Sequence, residues 1–287
     1  MAGTLREGPF EGPLEDALAG GPGSALRLYW LGQAGFVIDI AGRRLVVDPY
    51  LSDSLATKYR GTPYPHVRMM PAPIAPAALT HVDFVLCTHA HTDHMDPGTL
   101  PGLFAANPAA ELIAPRAVRH AALERSGLDA ARIRLVDAGE RIALSAGLHV
   151  TPTRAAHETL ERDEAGNHRF LGYGIAAAGV TLWHAGDTVP FDGQVGEVEP
   201  LRPDIALLPV NGRRPELSER GIAGNLTLRE AVALARSVGA SAMIAHHYGL
   251  FAFNTADPEE IDSTAKSTDD PAVSRARPAI AFEWAPG

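Results

Sequence analysis

Three histidines and an aspartate fall within six residues, His89-Ala90-His91-Thr92-Asp93-His94, directly after the apolar run Val82-Asp83-Phe84-Val85-Leu86-Cys87. The run reads as a buried strand. Successive side chains of a regular strand point to opposite faces, so four such groups cannot leave it in one direction. The chain must turn sharply here, and a turn at a strand end can aim alternate side chains into one cavity. Imidazole nitrogen and carboxylate oxygen suit divalent ions such as Zn²⁺, Mn²⁺ or Fe²⁺. A polar loop with surface histidines is the alternative, but it gives no reason for gathering so many ligand-type residues.

The same placement recurs along the chain. His157 follows Val150-Thr151-Pro152-Thr153, Asp187 follows the run ending at Trp183-His184, and His246-His247-Tyr248 closes Met243-Ile244-Ala245. Each alone reads equally well as a turn or a hydrogen-bonded histidine. Together with the first cluster they predict one metal site fed by several strand ends.

Composition bounds the rest. The chain has 287 residues, 12 histidines, one cysteine and a formal charge of −9. One cysteine excludes an internal disulfide and cysteine-rich metal sites. The acidic balance argues against an extended nucleic-acid surface, which needs clustered Lys and Arg. No stretch has the length and apolarity of a membrane span, and the start lacks the pattern of a signal peptide. A cytoplasmic protein is expected, with a flexible arm over 1–24 and a single domain over 25–287.

Within that domain the pattern predicts strands near 26–31, 36–40, 45–48, 82–87, 111–114, 133–136, 149–153, 171–177, 180–184, 205–209 and 242–245. Helices are expected from about Pro97, over Arg116–Ser126, and after the capping-box spacing Thr227-Leu228-Arg229-Glu230. The proline-rich connection from Pro49 to about Thr80 is long for a compact domain. It either covers a site or crosses the surface. Interleaved strands and helices predict sheets with helices packed outside, α/β or α+β.

The order His-x-His-x-Asp-His, His, Gly-Asp-Thr, His resembles the metallo-β-lactamase superfamily. That resemblance implies an α+β fold, a four-layer αββα sandwich with metals at one sheet edge. It implies His89, His91 and His157 at a first metal site, Asp93, His94 and His247 at a second, and Asp187 as the bridging carboxylate. His247 is preferred over His246 because it precedes Tyr248. His246 and His184 then support a ligand or face the substrate.

Trp30-Leu31-Gly32-Gln33-Ala34-Gly35-Phe36, Val47-Asp48-Pro49, Asp204–Gly212 and Arg220-Gly221-Ile222 resemble the branch containing L-ascorbate-6-phosphate lactonase. The resemblance runs from about Tyr29 to Ile261. It implies a hydrolase using one or two divalent ions, Zn²⁺ or Mn²⁺, on a small lactone or ester, with a phosphorylated and so anionic substrate among the candidates. Relatives that oligomerise make a homo-oligomer an expectation.

Such ions lower the pKa of bound water from 15.7 to about 7. Asp93 and Asp187 are the candidate catalytic carboxylates, with Asp93 doubling as ligand and proton acceptor. His246 or Tyr248 would protonate the leaving alkoxide. Arg213, Arg214 and Arg220 form a candidate anion clamp. The bland alternative pairs these arginines with Glu216 and Glu219 on a solvated loop. For His184, a substrate-binding role and a packed role stand level. Cys87, inside the strand, reads as core, which argues against the antibiotic-cleaving lactamases with a cysteine ligand. A phosphodiesterase acting on a phospholipid, cyclic nucleotide or RNA is the enzyme alternative, and a non-catalytic metal-binding protein the other.

Overall fold

The computed structural model of the chain describes residues 3–285 and 287. Two mixed sheets stack face to face. The first holds β1 (Thr4–Pro9), β2 (Arg27–Gly32), β3 (Gly35–Ile40), β4 (Arg43–Val47), β5 (Phe84–Leu86), β6 (Glu111–Pro115), β7 (Ile133–Val136) and β15 (Ile280–Ala285). The second holds β8 (Ile142–Ser145), β9 (Leu148–Arg154), β10 (Leu171–Ala177), β11 (Val180–His184), β12 (Ile205–Pro209), β13 (Ala242–His246) and β14 (Ala272–Arg275). Their orders are β1-β15-β2-β3-β4-β5-β6-β7 and β14-β13-β12-β11-β10-β9-β8. The runs β4 to β7 and β11 to β14 pair in parallel, and the others antiparallel.

Strand β3 shows why the sheets stack. Phe36, Ile38 and Ile40 point between the sheets, packing in one cluster with Leu171, Tyr173 and Leu182. Val37, one residue out of phase, points outward to Val46, Val85, Leu103 and Phe104. A strand buried on both faces loses the apolar–polar alternation of a half-exposed one. Each such side chain stabilises by about 1.5–3 kcal/mol. Helices α1 (Leu14–Leu18), α2 (Ser54–Lys58), α3 (Leu100–Ala106), α4 (Arg119–Ser126), α5 (Gln194–Val198), α6 (Pro215–Ser218), α7 (Leu228–Ser237) and α8 (Pro258–Ser267) complete the chain. Of these, α3 and α4 cover the outer face of the first sheet and α7 that of the second. This is the expected αββα layering. Among the described residues no helix is long and apolar enough to cross a membrane.

The capping box forms as its spacing predicts: Thr227 Oγ1 accepts from the Glu230 N–H, and the Glu230 carboxylate accepts from the Thr227 N–H. The expected flexible arm over 1–24 does not hold over its described part. β1 pairs antiparallel with β15, and Leu14 and Leu18 of α1 are buried. The side chains of β1 are mostly exposed, so backbone pairing holds it and leaves no apolar pattern to read. Residues 1 and 2 lie outside the described residues.

Helix α1 also closes over a buried ion pair. Arg44 donates to both carboxylate oxygens of Asp39, at 2.7 and 2.9 Å, and to the carbonyls of Leu18 and Thr80. Both side chains are excluded from solvent. Removing one partner leaves a buried charge unpaired, which costs about 3–5 kcal/mol. Arg44→Ala is therefore expected to lower the unfolding free energy by about that amount in denaturant titration, whereas a joint Arg44→Met, Asp39→Leu change costs less.

Candidate metal centre

Four strand ends converge on one cleft. The turn after β5 brings His89, His91, Asp93 and His94, and the segment after β9 brings His157. The turn after β11 brings Asp187, and the residue after β13 is His247. Ligand atoms of His89, His91 and His157 lie within 4.8 Å of one another, and so do those of His89, His94 and Asp187, and of Asp93, His94 and His247. Asp187 sits among them, with Oδ2 3.1 Å from His247 Nε2, 3.4 Å from His94 Nε2 and 3.8 Å from His157 Nε2.

Local backbone geometry permits this approach. Gly186 has φ +64°, and a Cβ there would stand 2.4 Å from the Leu171 carbonyl oxygen. Only glycine fits between the Asp187 turn and β10. The Thr88 carbonyl accepts from the Leu171 N–H, and the Tyr173 hydroxyl donates to the Cys87 carbonyl. These two bonds hold the sheets together beside the cleft.

Hydrogen bonds fix which ring nitrogen of two histidines faces inward. The buried Asp48 carboxylate accepts from the Thr88 N–H at 2.7 Å, the Thr88 hydroxyl at 2.6 Å and His94 Nδ1 at 2.7 Å. His94 therefore carries a proton on Nδ1 and turns Nε2, the nitrogen left for a metal, toward Asp187. The Thr88 hydroxyl, having given its proton to Asp48, accepts from His89 Nδ1 at 3.0 Å. That leaves His89 Nε2 bare. Gln33 acts on the opposite side: its side-chain Nε2 donates to Asp93 Oδ2 at 2.9 Å, and its backbone carbonyl accepts from the His247 N–H.

The electrostatics favour cations. Burial alone raises the Asp187 carboxyl, but neighbouring His247 and His94 hold it well below the ordinary carboxylate range. Burial pushes His157 down to about 4, and His89 is likewise driven to its neutral form by burial and by the histidines beside it. The buried Nε2 atoms of His89, His94 and His247, together with Asp187 Oδ1, have no hydrogen-bond partner among the described residues. Orphaned buried acceptors are costly. A cation accepting their lone pairs removes that cost, so the residues present fit divalent metal ions.

Other expected site residues lie elsewhere. Arg213 is engaged bidentately by Glu230 at 2.7 and 2.6 Å, not by Glu216 or Glu219. Arg214 donates to the Phe253 and Thr255 carbonyls, and Arg220 lies over the Tyr64 ring. None of these arginines lines the metal cavity. The anion clamp is thus replaced by internal bonds that tie the 211–225 loop to its neighbours. The Tyr248 hydroxyl donates to the Ala276 carbonyl and accepts from Arg275, while its ring stacks on Trp30. His246 packs fully buried against His184 and Phe36. Neither reaches the cavity to protonate a leaving group.

His184 donates from Nε2 to the Ala34 carbonyl and accepts the Gly186 N–H on Nδ1, so it pins the Asp187 turn rather than meeting substrate. Cys87 is core, its thiol directed at the His94 carbonyl and pushed well above its ordinary pKa by burial. Asp48 stood in the Val47-Asp48-Pro49 match, and Gln33 in Gly32-Gln33-Ala34-Gly35. Nothing in either segment alone says which ligand it holds.

The family model for the beta-lactamase superfamily domain matches residues 43–248. The chain belongs to that superfamily. A UPF0173 metal-dependent hydrolase of Aeropyrum pernix is 30% identical over 253 residues, covering 82% of this chain and 87% of the relative. Among solved structures, a possible metal-dependent hydrolase of Veillonella parvula has a TM-score of 0.70 at 15% identity, covering 90% of this chain and 99% of that one. The isothiocyanate hydrolase from Delia radicum gut bacteria has a TM-score of 0.65 at 19% identity, covering 87% and 95%. These two likenesses show the metallo-β-lactamase fold. The cysteine-free cluster is this superfamily member's candidate metal centre.

Because Asp48 fixes the His94 tautomer, Asp48→Asn is expected to weaken metal retention by about 10–100-fold. Competition against a chromophoric chelator measures this. An unchanged competition curve would show that His94 orients itself without the carboxylate.

Proposed function

We propose that this superfamily member hydrolyses a small ester or lactone at one or two divalent ions, Zn²⁺ or Mn²⁺. In this reading His89, His91 and His157 hold one ion, Asp93, His94 and His247 the other, and Asp187 lies between them. The observation that carries it is the buried Asp187 carboxylate, whose Oδ2 faces imidazole nitrogens from three separate segments. When bound, such ions make water acidic enough to supply hydroxide at neutral pH and polarise the substrate's oxygen. The all-nitrogen-and-oxygen donor set suits either metal. A cavity of about 210 Å³ over the cluster supports a small-molecule substrate.

The chain's own groups then manage position and protons. His91 and Asp93 line the cavity where a carbonyl carbon would meet the attacking oxygen. A bond forms from that oxygen to the carbonyl carbon, and the bond to the alkoxide breaks. Asp93 is held below the usual carboxylate range: burial raises its carboxyl, but His94 and His247 outweigh that effect. It is ionised at neutral pH and takes the proton released at the water. Gln33 Nε2 donates to Asp93 Oδ2 and holds the carboxylate in place while it accepts the proton and returns it to the alkoxide. Arg125 donates to the Ala90 and Met95 carbonyls, which fixes the curvature of the metal turn during this transfer.

Metal content and turnover of aryl esters, lactones and bis-p-nitrophenyl phosphate, with Zn²⁺ or Mn²⁺ added, test the reading. Asp187→Ala and His89→Ala are expected to lose metal and to lower kcat by more than about 100-fold, the upper end of what a merely supporting group costs. Full turnover with metal retained would overturn the assignment. Cleavage of the phosphodiester with the esters untouched would transfer the site to phosphodiester chemistry.

A further inference from the structure

The connection from Pro49 to Thr80 covers the site: Leu55, Lys58, Tyr59 and His66 line the cavity opposite the metal turn. It is firmly registered to that turn. The Asp96 carboxylate accepts from the Ser52 and Ser54 hydroxyls, each at 2.7 Å, from the Thr99 hydroxyl at 2.5 Å and from the Gly98 N–H at 3.0 Å. Arg68 donates to the Tyr50 carbonyl at 3.0 Å and the Met70 carbonyl at 3.1 Å. The wall over the metals is thereby built, with its rings at fixed positions.

His66 stands out in that wall. Its ring stacks on Tyr59 at 4.2 Å and 24°, and meets Phe251 and Phe253 edge-on at 4.9 and 4.8 Å. Phenylalanine would fill the same space, so packing alone does not account for an imidazole. Nδ1 lies 2.9 Å from the Tyr64 carbonyl oxygen, which can only accept, so Nδ1 carries the proton. Burial pushes the ring's pKa down, and Lys58 adds to this against the opposing effects of the Tyr64 carbonyl and Asp93. The neutral ring then has its lone pair on Nε2. Among the described residues the ring's hydrogen bond is made by Nδ1. With Nδ1 turned back to its own loop, Nε2 is the ring nitrogen left for a ligand of the cavity that His66 lines.

We propose that His66 is a specificity residue: Nε2 accepts a hydrogen bond from a hydroxyl on a flat, unsaturated substrate ring held in the cavity that Tyr59, Phe251 and Phe253 also line. The class of substrate is then an ester or lactone of a hydroxylated aryl or unsaturated ring. This rests on the hydrolytic reading above, yet its geometric core can be read without turnover.

The test uses the metal-loaded protein in two arms. Long-range ¹H–¹⁵N correlation of the histidine rings, with His66 assigned by its loss in His66→Phe, is expected to show Nδ1 protonated and Nε2 bare at neutral pH. A proton on Nε2 would overturn the proposal. In the second arm, kcat/KM is compared for 3-hydroxyphenyl acetate and phenyl acetate. Wild type is expected to favour the hydroxylated ester, and His66→Phe to reduce that preference about tenfold through KM, the scale of one hydrogen bond. His66→Gln, which keeps an acceptor, retains part of it. Equal preference in wild type and His66→Phe, with metal content unchanged, would overturn the proposal. If the loaded wild type hydrolyses neither ester, the hydrolytic reading is decided separately by the ester and lactone panel above. The preference is then read from binding of resorcinol against phenol, where equal affinities in wild type and His66→Phe would overturn the proposal.

Discussion

The buried carboxylate of Asp48 is the contact on which the rest of the site depends. It stands at the end of β4 and accepts from the backbone and hydroxyl of Thr88 and from His94 Nδ1. One side chain thereby fixes where the chain turns after β5, which nitrogen of His94 is left for a metal and, through the Thr88 hydroxyl, which nitrogen of His89. Such a carboxylate cannot be left unpaired in the core, since burying a charge without partners costs several kcal/mol. The fold supplies the partners by running β4 and β5 in parallel, which places Asp48 and Thr88 side by side.

Two other groups do for the far half what Asp48 does for the near half. Gln33 joins Asp93 to the backbone of His247, and His184 joins the Ala34 carbonyl to the Asp187 turn. The loop between β2 and β3 thus touches three of the converging segments. Bonds at these distances set the ligand positions before any ion arrives, so the ordering entropy of the site is met by folding. The Asp96 knot extends the arrangement to the covering wall. Position of the metals and position of the substrate are then set by the same turn.

The metal cluster was legible in the sequence because each member follows an apolar strand, and strand ends are where a layered α/β fold gathers side chains. The resemblance added the pairing of ligands into sets, which spacing alone leaves open. Strands β2 to β7 and β9 to β13 were legible for the related reason that their apolar runs are short and bounded by turns. Strands β1, β8, β14 and β15 were not: β1, for one, is held by its backbone and shows mostly exposed side chains. The arginines misled because a charge run shows no partner. Glu230, which engages Arg213, lies 17 residues on, at the start of α7. Tyr248 and His246 misled because neighbours of a ligand in sequence alternate away from it in space. His66 carried no signal at all, since its role depends on a carbonyl two residues back and on rings from the other half of the chain.

The central claim is that Asp187 lies between two sets of nitrogen and oxygen ligands. Anomalous diffraction from crystals of the metal-loaded protein, measured above the absorption edge of the bound metal, tests it most directly. Peaks are expected at coordination distance from Asp187, about 2.0–2.2 Å, one bounded by His89, His91 and His157 or the other by Asp93, His94 and His247, or both. Peaks confined to positions away from Asp187, in protein that turns over ester, would contradict the account.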